Sequence, residues 1–515
     1  MKLDDQEYYS LKRLRSSTMI FAIGKVLNAG LSFAILVLVA SNLSRSDFAI
    51  YAWLVAFTEF TVNISRFGIN HLVLRYAPEL RARHHLRALA RLLVLSTLSR
   101  VVIMVLFGLV YYECSHLLLS FLGKEDWLPA FDLYIAVIIP FGLMVFLRDT
   151  VFQSLLEQGL SQSNTTIRHV VLLGGLALLL LLAMDFTVIE VIYVEIIATM
   201  VATLAALIKG WRLLRALPHG QVEASGEVPG WLTMVTFAAN NYASELLRML
   251  GSNHALMTVA PQMLSVAALA PFGFCLTLFG QIYRFLPAQL FSGLYRPKLI
   301  AEYTKSRNFG ALNRQIIMIL KISNYVLACG LALFVVYGNE ILDLMSGGKY
   351  GDEYVLMLAF FVLMFVENFR LVLSDLCATI EKADLLRNVS LANLLIIPIA
   401  VLFVALGLSY YGLVAAIVIG EGIFVSAIVV YLLRQGVALR LDAMGQLRIA
   451  AAAVVATALG FLFKASVPAG GIVWMVLGAA VIGLAFLAAA RLLRPLSDGE
   501  RDAIERLAGR KVYLV

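Results

Sequence analysis

Apolar stretches of about twenty residues recur along this chain, separated by short polar connections, about fourteen times between Thr18 and Arg491. A hydrocarbon core of roughly 30 Å is crossed by about 20 helical residues. The pattern therefore predicts an all-α polytopic membrane protein with about 14 transmembrane helices. The expected spans cover 17–40, 48–70, 89–112, 129–150, 165–184, 187–208 and 232–253, then 255–283, 316–337, 354–377, 387–408, 412–433, 446–464 and 470–491. The first is too long for a signal-peptide apolar region and lacks a cleavage-site pattern, so it is expected to stay in place as a span.

Composition agrees with that pattern. Hydrophobic residues make up 61% of the chain and charged residues 14%, whereas a soluble protein of this length needs a polar exterior. Basic residues collect in alternate connections: Lys12, Arg13 and Arg15; Arg75, Arg81, Arg83 and Arg87; Lys209, Arg212 and Arg215; Arg296, Lys298, Lys305, Arg307 and Arg314; Arg434 and Arg440; and Arg494 onward. Positive residues mark the cytoplasmic side, so both termini are expected to be cytoplasmic. The net charge of +8 is then a product of topology, and no nucleic-acid partner is implied. Cys114, Cys275, Cys329 and Cys377 are scattered without a C-x-x-C, so neither a disulfide framework nor a metal site is expected.

A short pattern occurs twice. Tyr76-x-Pro78-x-Leu80 returns as Tyr295-x-Pro297-x-Leu299, and each is followed by a basic stretch and A-L-x-R, at Ala88–Arg91 and Ala311–Arg314. Six spans separate the copies, which predicts two six-helix halves of the same orientation with a substrate site near mid-membrane, as in transporters built from parallel repeats. The expected division is 1–210 for the first lobe, 211–231 for a cytoplasmic linker and 232–436 for the second lobe. Two extra transmembrane helices at 437–492 and a cytoplasmic tail at 493–515 follow, with Glu500–Leu507 as a surface amphipathic helix.

An ionisable group at mid-bilayer costs about 2.5–3.5 kcal/mol on insertion scales, so such residues are candidates for function. Lys25, Arg66, Arg100, Arg248 and Arg284 are expected to line a cationic cavity that takes an anionic substrate. Glu59, Glu245, Glu367 and Arg370 are the candidates for coupling or gating, Glu59 as a protonation-linked residue that could pair with Lys25 across helices. Against this, Arg66, Arg100, Arg148, Arg284 and Lys321 can also be read as snorkelling or interfacial, and Glu367 with Arg370 as an i,i+3 pair. Glu190 and Glu195 enter the sixth expected span. There is no Walker loop, nucleophile elbow, HExxH or DxD, so no enzyme chemistry and no cofactor are expected.

Leu43 to Tyr51 (L-S-R-S-D-F-A-I-Y), Phe67-Gly68-Ile69 followed by Arg75-Tyr76-Ala77-Pro78-Glu79, and Tyr295 to Ile300 carry a likeness. So do Glu340-Ile341-Leu342 with Gly347-Gly348-Lys349-Tyr350, and Tyr411 to Ala416. Taken in order along nearly the whole chain, they resemble the Wzx-type polysaccharide flippases of the multidrug/oligosaccharidyl-lipid/polysaccharide exporter superfamily. Ala49 and Ala415 stand where that family usually has Gly. The resemblance implies a fold like that of multidrug and toxin extrusion (MATE) transporters, with two pseudo-symmetric lobes. It also implies flipping of polyprenyl-pyrophosphate-linked oligosaccharide across a bacterial inner membrane by alternating access, for surface polysaccharide such as lipopolysaccharide or exopolysaccharide. Partners would be the lipid-linked oligosaccharide, membrane lipid and a polymerase or co-polymerase. A cation-coupled multidrug exporter and a peptidoglycan-precursor flippase of the same superfamily remain alternatives.

Overall fold

The structure is a computed structural model that describes residues 11–216, 230–437, 439–467, 471–497 and 499–501. Among them every regular element is helical. Residues 217–229 of the expected linker lie outside the described residues, as do 1–10 and the tail from 502 with most of the expected Glu500–Leu507 helix.

The first run comprises α1 (Leu11–Asn42), α2 (Arg45–Ile64), α3 (Ile69–Ala82), α4 (Leu86–Leu122), α5 (Leu128–Phe146), α6 (Gln158–Leu181) and α7 (Val188–Arg215). After the linker come α8 (Trp231–Leu250), α9 (Asn253–Met263), α10 (Val266–Phe285), α11 (Pro287–Leu290), α12 (Ser292–Ser306), α13 (Phe309–Ser346) and α14 (Tyr354–Thr379). The chain continues with α15 (Ala383–Val389), α16 (Ile396–Phe403), α17 (Ser409–Arg434), α18 (Ala443–Ser466) and α19 (Ile472–Leu493).

Eleven described helices are long and apolar enough to cross a membrane, or 12 when the bent pair α2–α3 counts as one span. The expected fourteen differ from this at two places. Residues 384–434 form one continuous apolar run, yet Gly407 (φ 88) breaks it, and on either side Gly420 faces Ile396 while Gly412 faces Phe403. The run is thus a helical hairpin whose two arms, α16 and α17, pack on each other. At the other place α8, rich in Asn, Ser and Thr besides Glu245 and Arg248, is helical over 231–250 but is not among the apolar spans.

Local chemistry sets the ends. Ser44 caps α2: its hydroxyl accepts from Asp47 N at 3.0 Å and donates to the Asp47 carboxylate at 2.8 Å, satisfying one of the orphan donors of the first turn. Asn308 opens α13 in the same manner through Ala311 N at 3.0 Å. The 37-residue α4 and the 38-residue α13 each stop at a left-handed glycine, Gly123 (φ 64) and Gly347 (φ 63), where a side chain would be strained. Each is followed by a single 3₁₀ turn, 125–127 and 351–353, and then by an apolar helix.

The twice-occurring sequence pattern therefore coincides with a twice-occurring order of elements. Each copy also nucleates a core. Tyr76, Ala77 and Leu80 pack with Leu89, Leu92, Phe146 and Phe152, and Leu299 and Leu312 pack with Ile316, Leu373 and Phe424, against which Tyr295 leans.

By contact the chain forms two compact units, one ending at Phe274 and the other starting at Cys275. The boundary falls within α10 because α8 packs on α2 and α3, and α9 packs on α2 and α4. In the second unit α18 and α19 join α13 around Ala328, Tyr337, Ile449, Ala456 and Phe486.

The bend between α2 and α3 is 56°. It depends on Gly68 (φ 76), where a Cβ would collide with the Ala238 carbonyl of α8. Gly68→Ala combines that collision with a left-handed backbone costing about 1–2 kcal/mol. It should lower the melting temperature of the detergent-purified protein by several degrees, read by intrinsic fluorescence; an unchanged melting temperature would contradict this account of the bend.

Candidate functional site

Breaking a helix in the membrane leaves carbonyls without partners, each costly in hydrocarbon. Around the α2–α3 bend these carbonyls are met by side chains. Arg100, on α4 and only 1% exposed, donates to Ser65 O at 2.5 Å, Val62 O at 3.0 Å and Gly142 O at 3.4 Å. The Tyr242 hydroxyl of α8 donates to Ile64 O at 2.5 Å. Arg100 was expected to line a cationic cavity; instead each of its three guanidinium nitrogens donates to a backbone carbonyl, and it acts as the peg of the bend.

The bend projects Arg66 toward α8. There Arg66 Nη1 meets Glu245 Oε1 at 2.8 Å, His71 Nε2 meets Glu245 Oε2 at 2.9 Å, and Arg248 Nη2 stands 3.9 Å from Oε1. The carboxylate is deep, with a side-chain exposure of 7%, while Arg66, His71 and Arg248 are at 25%, 35% and 56%. Three of the expected site residues, Arg66, Arg248 and Glu245, thus converge on one cluster. His71 joins them, one turn beyond the bend on α3.

A second cluster lies inside the same unit. Glu195 of α7, 2% exposed, accepts from Tyr51 Oη of α2 at 3.2 Å and Tyr134 Oη of α5 at 2.5 Å, and pairs with Arg168 of α6 at 3.1 Å. Arg168 also donates to Thr199 Oγ1 at 3.2 Å and stacks over Phe141, 5.0 Å from its ring centre. Four helices are pinned to one carboxylate. Near the α1 end of α6, Asn28 bonds Gln162 O at 3.1 Å and accepts from Thr166 at 2.9 Å. Lys25 is half-buried on the same helix as Asn28. Glu59, expected as its partner, is half-buried within electrostatic reach of Arg148 instead, and Arg148 is clamped bidentately by Asp149 at 2.7 and 2.6 Å in a π-helical turn.

In the second unit Arg370 pairs with Glu421 of α17 at 2.9 Å, so its partner lies across helices. Glu367 is 6% exposed, and its carbonyl accepts from Tyr283 at 3.2 Å. Arg284 is exposed near the end of α10. Asp375 binds Tyr295 Oη at 2.8 Å and Arg296 at 2.5 Å; burial, and then the Asp375 carboxylate, push the Tyr295 phenol above its usual range. Lys321, read from sequence as snorkelling or interfacial, is 1% exposed and held by Asp442 at 2.5 Å and Glu500 at 2.7 Å.

Arg168, Tyr134 and His71 were not among the sequence candidates. Arg168 sits near the start of an expected span, where a basic residue reads as interfacial, and His71 sits beyond the expected end of span two. Only the cross-helix geometry brings them into the clusters.

Residues 14–257 match the sequence profile of a family described as polysaccharide biosynthesis protein. No curated protein matches the chain by sequence. Among solved structures, the chain is similar to the lipid II flippase MurJ in an inward closed conformation, with a TM-score of 0.65, 12% identity, and 94% of this chain and 100% of that one covered.

It is also similar to a multidrug resistance MATE family transporter of the MOP superfamily in an inward-facing conformation, with a TM-score of 0.61, 12% identity and 81% and 98% coverage. An outward-facing structure of such a transporter gives a TM-score of 0.56, 14% identity and 85% and 97% coverage. The chain shares the fold of these transporters, and residues 14–257 match the polysaccharide biosynthesis family. It is a multi-pass membrane protein of the fold used by flippases and drug transporters.

Two predictions follow from the paired charges. Arg100→Met strands three carbonyls, at about 1–3 kcal/mol each, and should sharply reduce folded protein recovered from membranes, as measured by size-exclusion chromatography; normal recovery would show that the bend does not need the peg. Burial raises the Asp442 carboxyl, but Lys321 and Gly445 N–H outweigh it, leaving the group below its ordinary range. A depressed carboxyl contributes stability above its unfolded pKa of about 3.9 and loses it as pH falls through the lower folded value. Acid titration of melting temperature should therefore fall more steeply below about pH 4 for wild type than for Asp442→Asn. Parallel curves would count against the contact.

Proposed function

We propose that this protein flips polyprenyl-pyrophosphate-linked oligosaccharide across a bacterial inner membrane by alternating access, supplying polysaccharide synthesis at the cell surface. The observation that carries the reading is the polysaccharide biosynthesis match over residues 14–257 on a fold shared with a lipid-linked substrate flippase. The two guanidinium groups, Arg66 and Arg248, gathered at Glu245 support it. Moving a diphosphate through hydrocarbon is prohibitive unless its charge is met by fixed partners.

In this reading the termini are cytoplasmic, following the basic connections, and no bond of the substrate is made or broken by the protein. Arg66, Arg248, Lys25 and Arg284 serve the anionic headgroup, and Glu59, Glu245, Glu367 and Arg370 respond to the change of state. A polysaccharide polymerase or co-polymerase consumes the product at the outer face. The multidrug exporter shares the fold, but the polysaccharide match favours the lipid-linked sugar.

Deleting the gene in its host should trap lipid-linked oligosaccharide in the cytoplasmic leaflet and abolish the surface polymer, measured by lipid extraction and polymer immunoblot. Arg66→Ala at normal membrane abundance should reproduce the trapping. Unchanged polymer with drug hypersensitivity would transfer the chain to the exporter reading.

A further inference from the structure

We infer that the cleft between the arms of the 384–434 hairpin is a binding site for an aminophospholipid, a lipid whose headgroup carries a phosphate and a primary ammonium. The cleft lies within the second unit and uses none of the residues of the charged clusters described above. It does not depend on what the protein carries across the membrane.

The cleft follows from the packing of the arms. They meet closely where a glycine of α17 takes a large side chain of the other arm, Gly420 against Ile396 and Gly412 against Phe403. Two turns beyond Gly420, α17 presents Ala427, and the other arm presents Ala392 from the 3₁₀ stretch Ser390–Leu395. Two alanines leave the arms apart, around a cavity of about 430 Å³, within the size range of small-molecule sites, about 300–1,000 Å³. Val389 adds to an apolar floor, and Asp384, Asn388 and Tyr431 bring polar groups to the lining.

The surroundings are those of a lipid rather than of a water-soluble ligand. Leu391, Leu394 and Leu395, next along the chain from the lining residues, are exposed within a run of mean hydropathy 2.6, a surface that acyl chains cover. The polar groups belong to the other end. Helix α17 stops at Arg434, in one of the basic connections, and Tyr431 stands one turn before it, at the level where tyrosines anchor in the headgroup layer.

Charge selects the headgroup. Arg387 pairs with Asp384 at 3.2 Å, with side-chain exposures of 53% and 86%, so both charges stay hydrated and open to a further partner. A phosphate suits the guanidinium, which can grip it with two parallel N–H bonds, and an ammonium suits the carboxylate. The Asn388 carboxamide and the Tyr431 hydroxyl supply neutral donors and acceptors beside them. A quaternary ammonium has no N–H to give and is held by a cage of aromatic faces, whereas Tyr431 is the one aromatic in the lining among the described residues. A primary ammonium brings three donors to Asp384. A headgroup without a cation would set its phosphate against that carboxylate, like charge against like.

The test is native mass spectrometry of the delipidated full chain with phosphatidylethanolamine, phosphatidylcholine and phosphatidylglycerol of matched acyl chains. Wild type should bind phosphatidylethanolamine about tenfold more tightly than phosphatidylcholine, the scale of one charge-assisted hydrogen bond. Asp384→Asn changes an exposed side chain without altering its shape, so the protein should fold and the preference should vanish. Ala427→Leu fills the cavity from α17 and should lose most of the phosphatidylethanolamine binding; Ala392→Leu fills it from the other arm and serves if the first variant does not fold.

Equal affinity for the two zwitterionic lipids in wild type, or an undiminished preference in Asp384→Asn, would overturn the ammonium site. Tighter binding of phosphatidylglycerol than of phosphatidylethanolamine would assign the cleft to an anionic lipid and overturn it likewise. Unchanged binding by a folded cavity-filled variant would place the lipid elsewhere on the protein and overturn the cleft.

Discussion

A charge inside a hydrocarbon slab must find its opposite or a dipole, and the interior of this protein follows from that requirement. The best-buried ionisable groups are met from other helices. Glu195 is met from three, Arg100 by three carbonyls, Lys321 by two carboxylates and Glu245 by Arg66 and His71. Removing one member of such a set leaves an uncompensated buried charge, at about 3–5 kcal/mol. The pairs therefore specify helix neighbours more sharply than the apolar contacts, which in lipid carry no hydrophobic drive between helices. Tyr51, Tyr134, Arg168 and Glu195 fix α2, α5, α6 and α7 to one another in this way.

The bend at Gly68 shows the same requirement producing function-bearing geometry. A straight span would carry Arg66 along the helix face with its carbonyls satisfied internally. Breaking the span leaves Val62, Ile64 and Ser65 carbonyls open, and the helix survives only because Arg100 and Tyr242 supply donors. That supply frees Arg66 to turn toward α8, and a basic residue three places later on α8, Arg248, completes the ring around Glu245. One glycine thus separates a cation that holds backbone from a cation that meets a carboxylate on another helix.

How much of this was legible in the sequence depends on the range of the interaction. Spans were legible because hydropathy is a local property of about 20 residues, and the repeated Y-x-P-x-L motif because it is compact, although the helix that follows starts at Leu86 in one copy and at Phe309 in the other. The 384–434 hairpin is continuous in hydropathy and is divided only by the backbone at Gly407. Charged residues could be counted but not paired, since i,i+3 neighbours such as Glu367 and Arg370 compete with partners across the bundle. Arg370 pairs with Glu421 across the bundle. Arg100 illustrates the limit most clearly: nothing in its neighbours along the chain distinguishes a backbone peg from a substrate ligand.

The same requirement recurs at the centres of both units. In the first, Glu245 gathers Arg66, His71 and Arg248 about one buried carboxylate, and Glu195 gathers two tyrosines and Arg168. In the second, Lys321 gathers Asp442 and Glu500, and Asp375 gathers Tyr295 and Arg296. Each centre is a buried charge reached from elsewhere in the chain, and removing one arm leaves the charge uncompensated. A change in helix packing therefore costs most at these centres, whereas the apolar faces exchange a helix neighbour for lipid at little cost.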